Sequence, residues 1–278
     1  MHDTRRLLAG LDHRARKGLG QHFLIDAGVL AKIRRAACLS GDDTVIEVGP
    51  GLGVLTRELV AGAGRVIAVE LDRRLAEALP GTLADAPNLR VVHGDILKMD
   101  VESLLAEGET GGTQHYKVVA NLPYYITSAI LRFFLEATPK PEVMVVMVQR
   151  EVAKSIISQP GDMSLLALSV QIYGSPKIVS RVPAGCFYPP PTVDSAILKV
   201  CPHAVPLITP AESEGFFRLA RAGFCAARKQ LQNSLSQGLE IDKAAALALL
   251  VDSGIDPRRR AETLSIDEWL RLWRCFQG

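Results

Sequence analysis

A short strand-like run that ends in a glycine-rich turn constrains the fold of this chain more than any other feature. The run, Thr44–Val48, leads into Gly49-Pro50-Gly51-Leu52-Gly53, and residues 52–61 then have helical periodicity. The alternation continues to residue 148, which predicts a mostly parallel α/β sheet covered by helices on both faces. The predicted strands are 44–48, 65–69, 89–92, 116–120 and 142–148, and the predicted helices are 52–61, a stretch from about 73, and 128–136.

The pattern changes after residue 148. Residues 177–182 and 195–200 have β character and are expected to extend the sheet, whereas three prolines at 202, 206 and 210 mark a boundary. The predicted helices of this half are 151–157, 164–173, 212–224, 228–237, 243–253 and 266–276. We therefore predict two domains, an α/β domain over 1–204 and a small all-helical domain over 205–278.

Composition excludes some classes of protein. Apolar residues make up 48% of 278 residues, so a large core is expected and global disorder is not. The net charge of +2 does not indicate a general nucleic-acid binder, but the charge is unevenly distributed. Residues 1–38 hold eight Lys or Arg against three Asp, and Arg258, Arg259 and Arg260 are consecutive. Such local patches are able to bind phosphates while the rest of the surface stays neutral.

Cysteine and histidine usage gives further expectations. The five cysteines include no Cys-x-x-Cys pair, which fits a reducing compartment, and the histidines show no metal-ligand spacing. The longest strongly apolar run, residues 143–148, is too short to cross a bilayer, and no apolar segment follows the basic N-terminus. We therefore expect a cytoplasmic protein that needs neither a metal nor a membrane.

Residues at three successive strand ends predict a site for an adenosine ligand. Glycines such as Gly49 and Gly51 let a ligand approach the backbone, but NAD, FAD and S-adenosylmethionine enzymes all use variants of this turn. The dinucleotide spacing is absent, because Val54 stands where its third glycine would be. Glu70 at the next strand end is able to accept both ribose hydroxyls, and Asp95 at the third is able to accept the adenine amino group. Upstream, residues 20–24 have the pattern of a loop that enters a helix, which is either a hydrophobic lid with a helix N-cap nearby or a flap that closes over the donor.

A second motif, Asn121-Leu122-Pro123-Tyr124, follows the fourth predicted strand. It places an amide oxygen, a main-chain carbonyl and an aromatic ring around one small space. A flat heterocycle with an exocyclic amine suits this arrangement, because the ring would stack on Tyr124 and the oxygens would accept the amine hydrogens. The motif therefore indicates the group that is modified.

Together these motifs resemble the small-subunit rRNA adenine dimethyltransferases, the bacterial dimethyladenosine transferase group. The resemblance extends over nearly the whole chain and is carried by residues 20–24, 46–53, 69–72, 121–124, 187–196, 228–231 and 260–264. It implies a Rossmann-like methyltransferase domain with a small helical domain. It also implies methyl transfer from S-adenosylmethionine to N6 of two adjacent adenosines, in a hairpin loop near the 3′ end of 16S rRNA.

The resemblance also implies roles for individual residues. Donor contacts are implied for His22, Leu24, Gly49, Glu70, Asp95 and Asn121. Many members have Asn at the positions of His22 and Tyr125, and Tyr125 receives no role. In the implied chemistry, the Asn121 oxygen and a carbonyl at Leu122 or Pro123 hold the amine hydrogens out of the ring plane. Tyr124 supports one face of the extruded base, and Phe187 is expected to close the other.

Three other functions compete with this interpretation. A macrolide-resistance-type methyltransferase of 23S rRNA shares the fold and the Asn-x-Pro-Tyr motif, whereas the 187–195 stretch and the helical tail favour the small-subunit enzyme by resemblance. A ribosome-assembly factor would mainly bind and check the immature subunit. A small-molecule methyltransferase is disfavoured by the basic arm and the helical domain. We expect a monomer that contacts the small ribosomal subunit through Arg228, Lys229, Arg258, Arg259 and Arg260.

Overall fold

The computed structural model describes residues 22–106 and 115–277. Most of the predicted basic arm, the first two residues of the predicted 20–24 segment, and a predicted loop at 108–113 lie outside the described residues. The strands are β1 (Phe23–Leu24), β2 (Thr44–Val48), β3 (Arg65–Glu70), β4 (Leu89–His93), β5 (Lys117–Asn121), β6 (Val143–Gln149), β7 (Gly174–Val182), β8 (Phe187–Tyr188) and β9 (Ser195–Pro202).

The helices follow the strands in the predicted alternation. They are α1 (Ala27–Ala37), α2 (Val54–Val60), α3 (Arg73–Thr82), α4 (Val101–Ala106), α5 (Thr127–Glu136), α6 (Arg150–Ile156), α7 (Leu165–Gln171), α8 (Pro210–Phe224), α9 (Leu231–Leu239), α10 (Lys243–Asp252) and α11 (Ile266–Gln277). Short 3₁₀ turns are formed by Ile96–Lys98, Tyr124–Ile126, Ala184–Cys186 and Ala261–Thr263.

Seven of the described strands form one sheet in the order β4-β3-β2-β5-β6-β9-β7. The strands from β2 to β6 pair in parallel, and β9 pairs antiparallel with β6. This sheet confirms the predicted α/β class, and the two late strands extend it as expected. Because parallel strands end at one edge of a sheet, the residues after β2, β3, β4 and β5 come together there.

The main core cluster packs on the sheet around β2 and its neighbours. All residues of β2 are buried, because β3 and β5 flank it and helices cover its faces. The Asp26 side chain caps α1 by accepting the Val29 N–H at 2.9 Å, so that helix begins at a defined residue. The cluster includes Val29 and Ile33 of α1, Leu55 and Leu59 of α2, and Val45, Val66, Val119, Val145 and Ile197 of the sheet.

A small antiparallel ribbon joins two segments that are distant in the sequence. β1 pairs with β8, with Phe23 opposite Tyr188 and Leu24 opposite Phe187. The Ile25 N–H continues this ribbon by donating to the Cys186 carbonyl at 2.9 Å. The predicted loop at 20–24 therefore contains a two-residue strand, and the proline-rich stretch stays outside the seven-stranded sheet as its prolines predict.

The described residues divide into two compact units. One contains the residues up to Ala153 together with Pro176–Pro202, and the other contains Lys154–Ser175 and the residues from His203 onward. The predicted division at 204/205 placed residues 154–175 in the first domain. In the structure the N–H groups of Gly161 and Met163 donate to the Glu262 carbonyl at 2.8 and 3.1 Å, which ties that segment to the second unit.

Between residues 203 and 277, the second unit contains helices and turns and no strand. A capping box starts α8, in which the Thr209 N–H donates to Glu212 Oε2 at 2.7 Å. Trp269 and Phe216 are fully buried in this unit. Within the described ranges, no helix is long and apolar enough to cross a membrane.

Candidate active site

A cleft opens at the edge of the sheet where β2, β3 and β5 end. It is lined by ten of the residues that the sequence assigned to donor or base binding, namely His22, Leu24, Gly49, Gly51, Glu70, Asp95, Asn121, Leu122, Pro123 and Tyr124. This position agrees with the rule that ligands of open α/β sheets bind beyond the carboxyl ends of the strands.

The glycine turn gives the cleft a bare backbone wall. Gly49 has φ +67° and Gly51 has φ +58°, conformations that side chains with a Cβ rarely adopt. A Cβ built on Gly49 would meet open space, whereas one on Gly51 would approach the Phe23 ring at 3.0 Å. A ligand is therefore able to approach this turn closely.

Glu70 is locked in place at the end of β3. One carboxylate oxygen accepts the Gly51 N–H at 3.0 Å, and the other accepts the Asp72 N–H at 2.9 Å. The side chain is buried, and this burial raises the pKa of the carboxyl although the backbone hydrogen bonds oppose the shift. The carboxylate therefore ties the glycine turn to the neighbouring strand and presents fixed acceptors to the cleft.

Asp95 follows β4 and caps the turn Ile96–Lys98. Its Oδ1 accepts the Leu97 N–H at 3.1 Å, and its Oδ2 lies 3.8 Å from Lys98 Nζ. The side chain has a local structural role, and it lies at the position where the sequence predicted an acceptor for adenine. Gly49, Glu70 and Asp95 thus line the cleft in the order of their strands, which fits the elongated shape of S-adenosylmethionine.

The orientation of the Asn121 carboxamide is set by a main-chain carbonyl. Its Nδ2 donates to the His22 carbonyl at 3.0 Å. A carbonyl only accepts hydrogen bonds, so the nitrogen must face His22 and Oδ1 is left as an acceptor for a ligand. Asn121 ends β5 and lines the cleft, so the sheet itself positions this acceptor.

The next two carbonyls differ in their availability. The Pro123 carbonyl accepts the Ile126 N–H and the Thr127 hydroxyl, each at 3.3 Å. The Leu122 N–H donates to the Met147 carbonyl at 3.1 Å, which fixes the Leu122 peptide beside the sheet. Of the two alternatives that the sequence left open, the geometry therefore favours the Leu122 carbonyl as the second acceptor.

Tyr124 is held on two sides. Its hydroxyl shares a hydrogen bond of 2.7 Å with Ser195 Oγ, and Ser195 is fully buried at the start of β9. The His22 ring stacks on the Tyr124 ring with centroids 5.9 Å apart and planes inclined by 25°. His22 Nδ1 is in turn 2.8 Å from the Pro189 carbonyl. Burial raises the pKa of the Tyr124 hydroxyl, although the Ser195 hydrogen bond opposes the shift, so it stays protonated at neutral pH.

Phe187 does not line this cleft. Its side chain is only 2% exposed and lies in the main core cluster with Leu24 and Ile197. The prediction that Phe187 covers the second face of the base does not match this position, because the ring is enclosed by apolar side chains. In the structure Phe187 packs the β1–β8 ribbon onto the core.

The sequence motifs gave no role to three residues of this region. Glu47 lines the cleft, is 1% exposed, and has a carboxylate oxygen without a hydrogen-bond partner among the described residues. Ser195 anchors Tyr124, a contact for which the sequence offers no signal. Tyr125 also lines the cleft and is 59% exposed. Its adjacency to the Asn-x-Pro-Tyr motif was the only available indication.

The basic residues predicted to contact RNA lie in the helical unit and differ in their surroundings. Arg228, Lys229, Arg258 and Arg260 are exposed, although Arg258 pairs with Asp256 at 3.2 Å and Arg260 pairs with Glu262 at 3.6 Å. Arg259 differs, since its guanidinium binds Glu268 in a bidentate pair, with Nη2 3.1 Å from Oε2, and donates to the Thr263 carbonyl at 2.6 Å. The Arg259 guanidinium is therefore engaged within the protein, which conflicts with the prediction that it contacts a phosphate.

No group of His, Cys, Asp and Glu within residues 22–106 and 115–277 is arranged to hold a metal ion. The site geometry consists of fixed acceptors, backbone and an aromatic ring.

Comparisons with known proteins identify the relatives of this chain. The model of the ribosomal RNA adenine dimethylase family matches residues 12–277. A ribosomal RNA small subunit methyltransferase A from Dehalococcoides mccartyi is 57% identical, with 98% of this chain and 92% of the relative covered. One from Moorella thermoacetica is 46% identical, with 94% and 92% covered.

Solved structures are similar over most of the chain. A dimethyladenosine transferase from Plasmodium falciparum is 25% identical with a TM-score of 0.76, covering 90% of this chain and 96% of its own. The 23S rRNA methyltransferase ErmE is 31% identical with a TM-score of 0.69, covering 92% and 100%. From the family match over nearly its whole length and from relatives of this identity, the chain belongs to the ribosomal RNA adenine dimethylase family.

Proposed function

We propose that this chain transfers methyl groups from S-adenosylmethionine to N6 of adenosines in small-subunit (16S) rRNA. Curated relatives up to 57% identical bear the name ribosomal RNA small subunit methyltransferase A. The observation that carries the proposal is the fixed carboxamide of Asn121, whose nitrogen donates to the His22 carbonyl and whose oxygen is thereby left for a substrate amine.

The acceptors address the main chemical difficulty of the reaction. The exocyclic amine of adenine is a weak nucleophile, because its lone pair is delocalised into the ring. The Asn121 oxygen and the Leu122 carbonyl would accept its hydrogens and hold them out of the ring plane, which frees the lone pair. Asn121 is neutral and is no general base, so the proton leaves after transfer, when the nitrogen is cationic. Catalysis is then mainly positioning with fixed dipoles.

The donor site would use the strand ends. When bound, S-adenosylmethionine supplies an electrophilic methyl group on a sulfonium. Gly49 and Gly51 would let it lie against the backbone, Glu70 would accept its ribose hydroxyls, and Asp95 would accept its adenine amino group. The remaining donor contacts of this proposal are His22, Leu24 and Asn121.

The target adenine would leave its stack to enter the cleft. Tyr124, anchored by Ser195, would support one face, and base stacking of this kind contributes roughly 1–3 kcal/mol. We further propose two adjacent target adenosines in the 3′-terminal hairpin loop, each converted to N6-dimethyladenosine. A monomethylated amine keeps one hydrogen for one acceptor, so a second transfer in the same cleft is physically allowed.

The helical unit would contact rRNA of the small subunit. This part of the proposal depends on four exposed cations, Arg228, Lys229, Arg258 and Arg260. Exposed Lys and Arg side chains bind phosphates and release the counterions that were condensed on the nucleic acid. In this proposal the protein acts as a cytoplasmic monomer in small-subunit biogenesis.

Methyl transfer to each ribosomal subunit tests the proposal. Labelled S-adenosylmethionine is supplied with unmethylated small subunits or with large-subunit rRNA, and the modified nucleosides are identified by mass. Label in N6-dimethyladenosine of 16S rRNA is the expected result. Label only in 23S rRNA would favour an activity like that named for ErmE. If Asn121→Ala abolishes transfer but still rescues subunit maturation, binding and checking of the subunit would be a separate function.

A further inference from the structure

Two consecutive tyrosines at the cleft differ in how firmly they are held. Tyr124 is fixed by Ser195 and by the His22 ring. Tyr125 lines the same cleft, but its side chain is 59% exposed and makes no hydrogen bond or ring contact with the residues that the structure describes. An exposed aromatic ring that lines a ligand cleft offers a face on which a nucleobase is able to stack.

We propose that Tyr125 is a second stacking platform, which binds the nucleobase next to the target adenine in the RNA strand. This inference rests on the proposed function, since it requires the target base to lie against Tyr124. Tyr124 and Tyr125 share the turn Tyr124–Ile126, so their Cα atoms are one peptide apart, about 3.8 Å. Because both residues line one cleft, a strand whose target base lies against Tyr124 would pass beside the exposed Tyr125 ring.

The neighbouring base loses a stacking partner when the target base is extruded, and this loss is a physical reason for the contact. A base that leaves its stack exposes a face of its neighbour, and an aromatic side chain is able to cover that face whatever the base. Tyr125 would thus offset part of the cost of unstacking.

Binding to a hairpin RNA with two adjacent loop adenosines provides the test. Affinity is measured by fluorescence anisotropy for the wild type and for Tyr125→Ala, Tyr125→Phe and Tyr125→Asn. The RNA is used intact and with an abasic site beside the target adenosine. Val193→Ala is a matched control, because it shortens an exposed apolar side chain that does not line the cleft.

A stacked base predicts a specific pattern of affinities. Tyr125→Ala and Tyr125→Asn should weaken binding roughly 5- to 150-fold, as expected for the loss of one stacked base. Tyr125→Phe and Val193→Ala should bind as the wild type does. The abasic site should weaken wild-type binding by a similar factor but leave Tyr125→Ala unaffected, because that variant has no stack to lose.

Two results would overturn the inference. One is a loss of RNA affinity on introducing the abasic site that is equally large for the wild type and for Tyr125→Ala. The other is a fall in S-adenosylmethionine affinity of Tyr125→Ala, measured by calorimetry, that matches the fall in RNA affinity, because the ring would then belong to the donor site.

Methyl transfer to N6 of the target adenosine separates this inference from the proposed function. Transfer from labelled S-adenosylmethionine to unmethylated small subunits should occur with the wild type and with Tyr125→Ala. No transfer with the wild type would contradict the proposed function itself. Transfer by both proteins, together with equal abasic penalties, would contradict only the role of Tyr125.

Discussion

Replacing Glu47 by glutamine is expected to stabilise the protein, and the gain should grow as the pH rises. Glu47 lies in β2 with 1% of its surface exposed, and its Oε2 has no hydrogen-bond partner among the described residues. Burial raises the pKa of its carboxyl to about 8, an effect that the nearby Thr56 hydroxyl opposes and the charge of Glu70 reinforces. The carboxyl is therefore mostly protonated in the folded protein at neutral pH.

The sign of the pH dependence follows from the two pKa values. The reference pKa of the carboxyl is 4.5, against about 8 in the folded protein. Between these values the folded state holds a proton that the unfolded state releases, so wild-type stability falls as the pH rises through this window. One proton corresponds to about 1.4 kcal/mol per pH unit. Between about pH 5.5 and about pH 7.5, the free energy of unfolding of the wild type should therefore fall by about 2–3 kcal/mol. That of Glu47→Gln should not show this fall, because glutamine does not titrate.

Urea unfolding followed by circular dichroism at both pH values measures this difference. Glu58→Gln is a suitable control, since Glu58 lies on α2 with its side chain 35% exposed and 3.6 Å from Arg34. The free energy of unfolding of the control should follow that of the wild type at both pH values. The reasoning is refuted if the free energies of unfolding of Glu47→Gln and the wild type differ by the same amount at both pH values.

The remaining predictions concern the site and the helical unit. Glu70→Ala should weaken S-adenosylmethionine binding in calorimetry, and unchanged affinity would remove Glu70 from the ribose. Tyr124→Phe and Ser195→Ala should each lower the free energy of unfolding, by about 0.5–3 kcal/mol, because the first leaves the buried Ser195 hydroxyl without its partner and the second leaves the partly buried Tyr124 hydroxyl without its partner. The double variant should cost less than the sum, and additive losses would contradict the hydrogen bond. Arg259→Ala should lower stability but leave the salt dependence of subunit binding unchanged; a flatter dependence would assign Arg259 to the RNA surface.

The sequence predicted those parts of the site that depend on local pattern. Strand ends are recognisable from apolar runs, and parallel strands share an edge, so Gly49, Glu70, Asp95 and Asn121 were expected to line one cleft, as they do. The glycine turn was also predictable, because positive φ angles leave few other choices of residue.

Contacts between distant segments could not be predicted in this way. The pairing of Leu24 with Phe187 joins two strands of only two residues each, which have no periodicity to recognise. The burial of Phe187 follows from that pairing, so its predicted role as a platform did not match the structure. Arg259 illustrates the same limit, because a basic triplet looks like a surface patch until the position of Glu268 is known.

Single-turnover methylation of unmethylated small subunits by Asn121→Ala tests the central claim most directly, namely that the Asn121 oxygen prepares the adenine amine. The transfer rate should fall roughly 10²- to 10³-fold, as for the loss of one preorganised polar contact in an active site. Donor affinity, measured by calorimetry, should stay within about tenfold of the wild type. A wild-type rate of N6-methyladenosine formation by this variant would contradict the account.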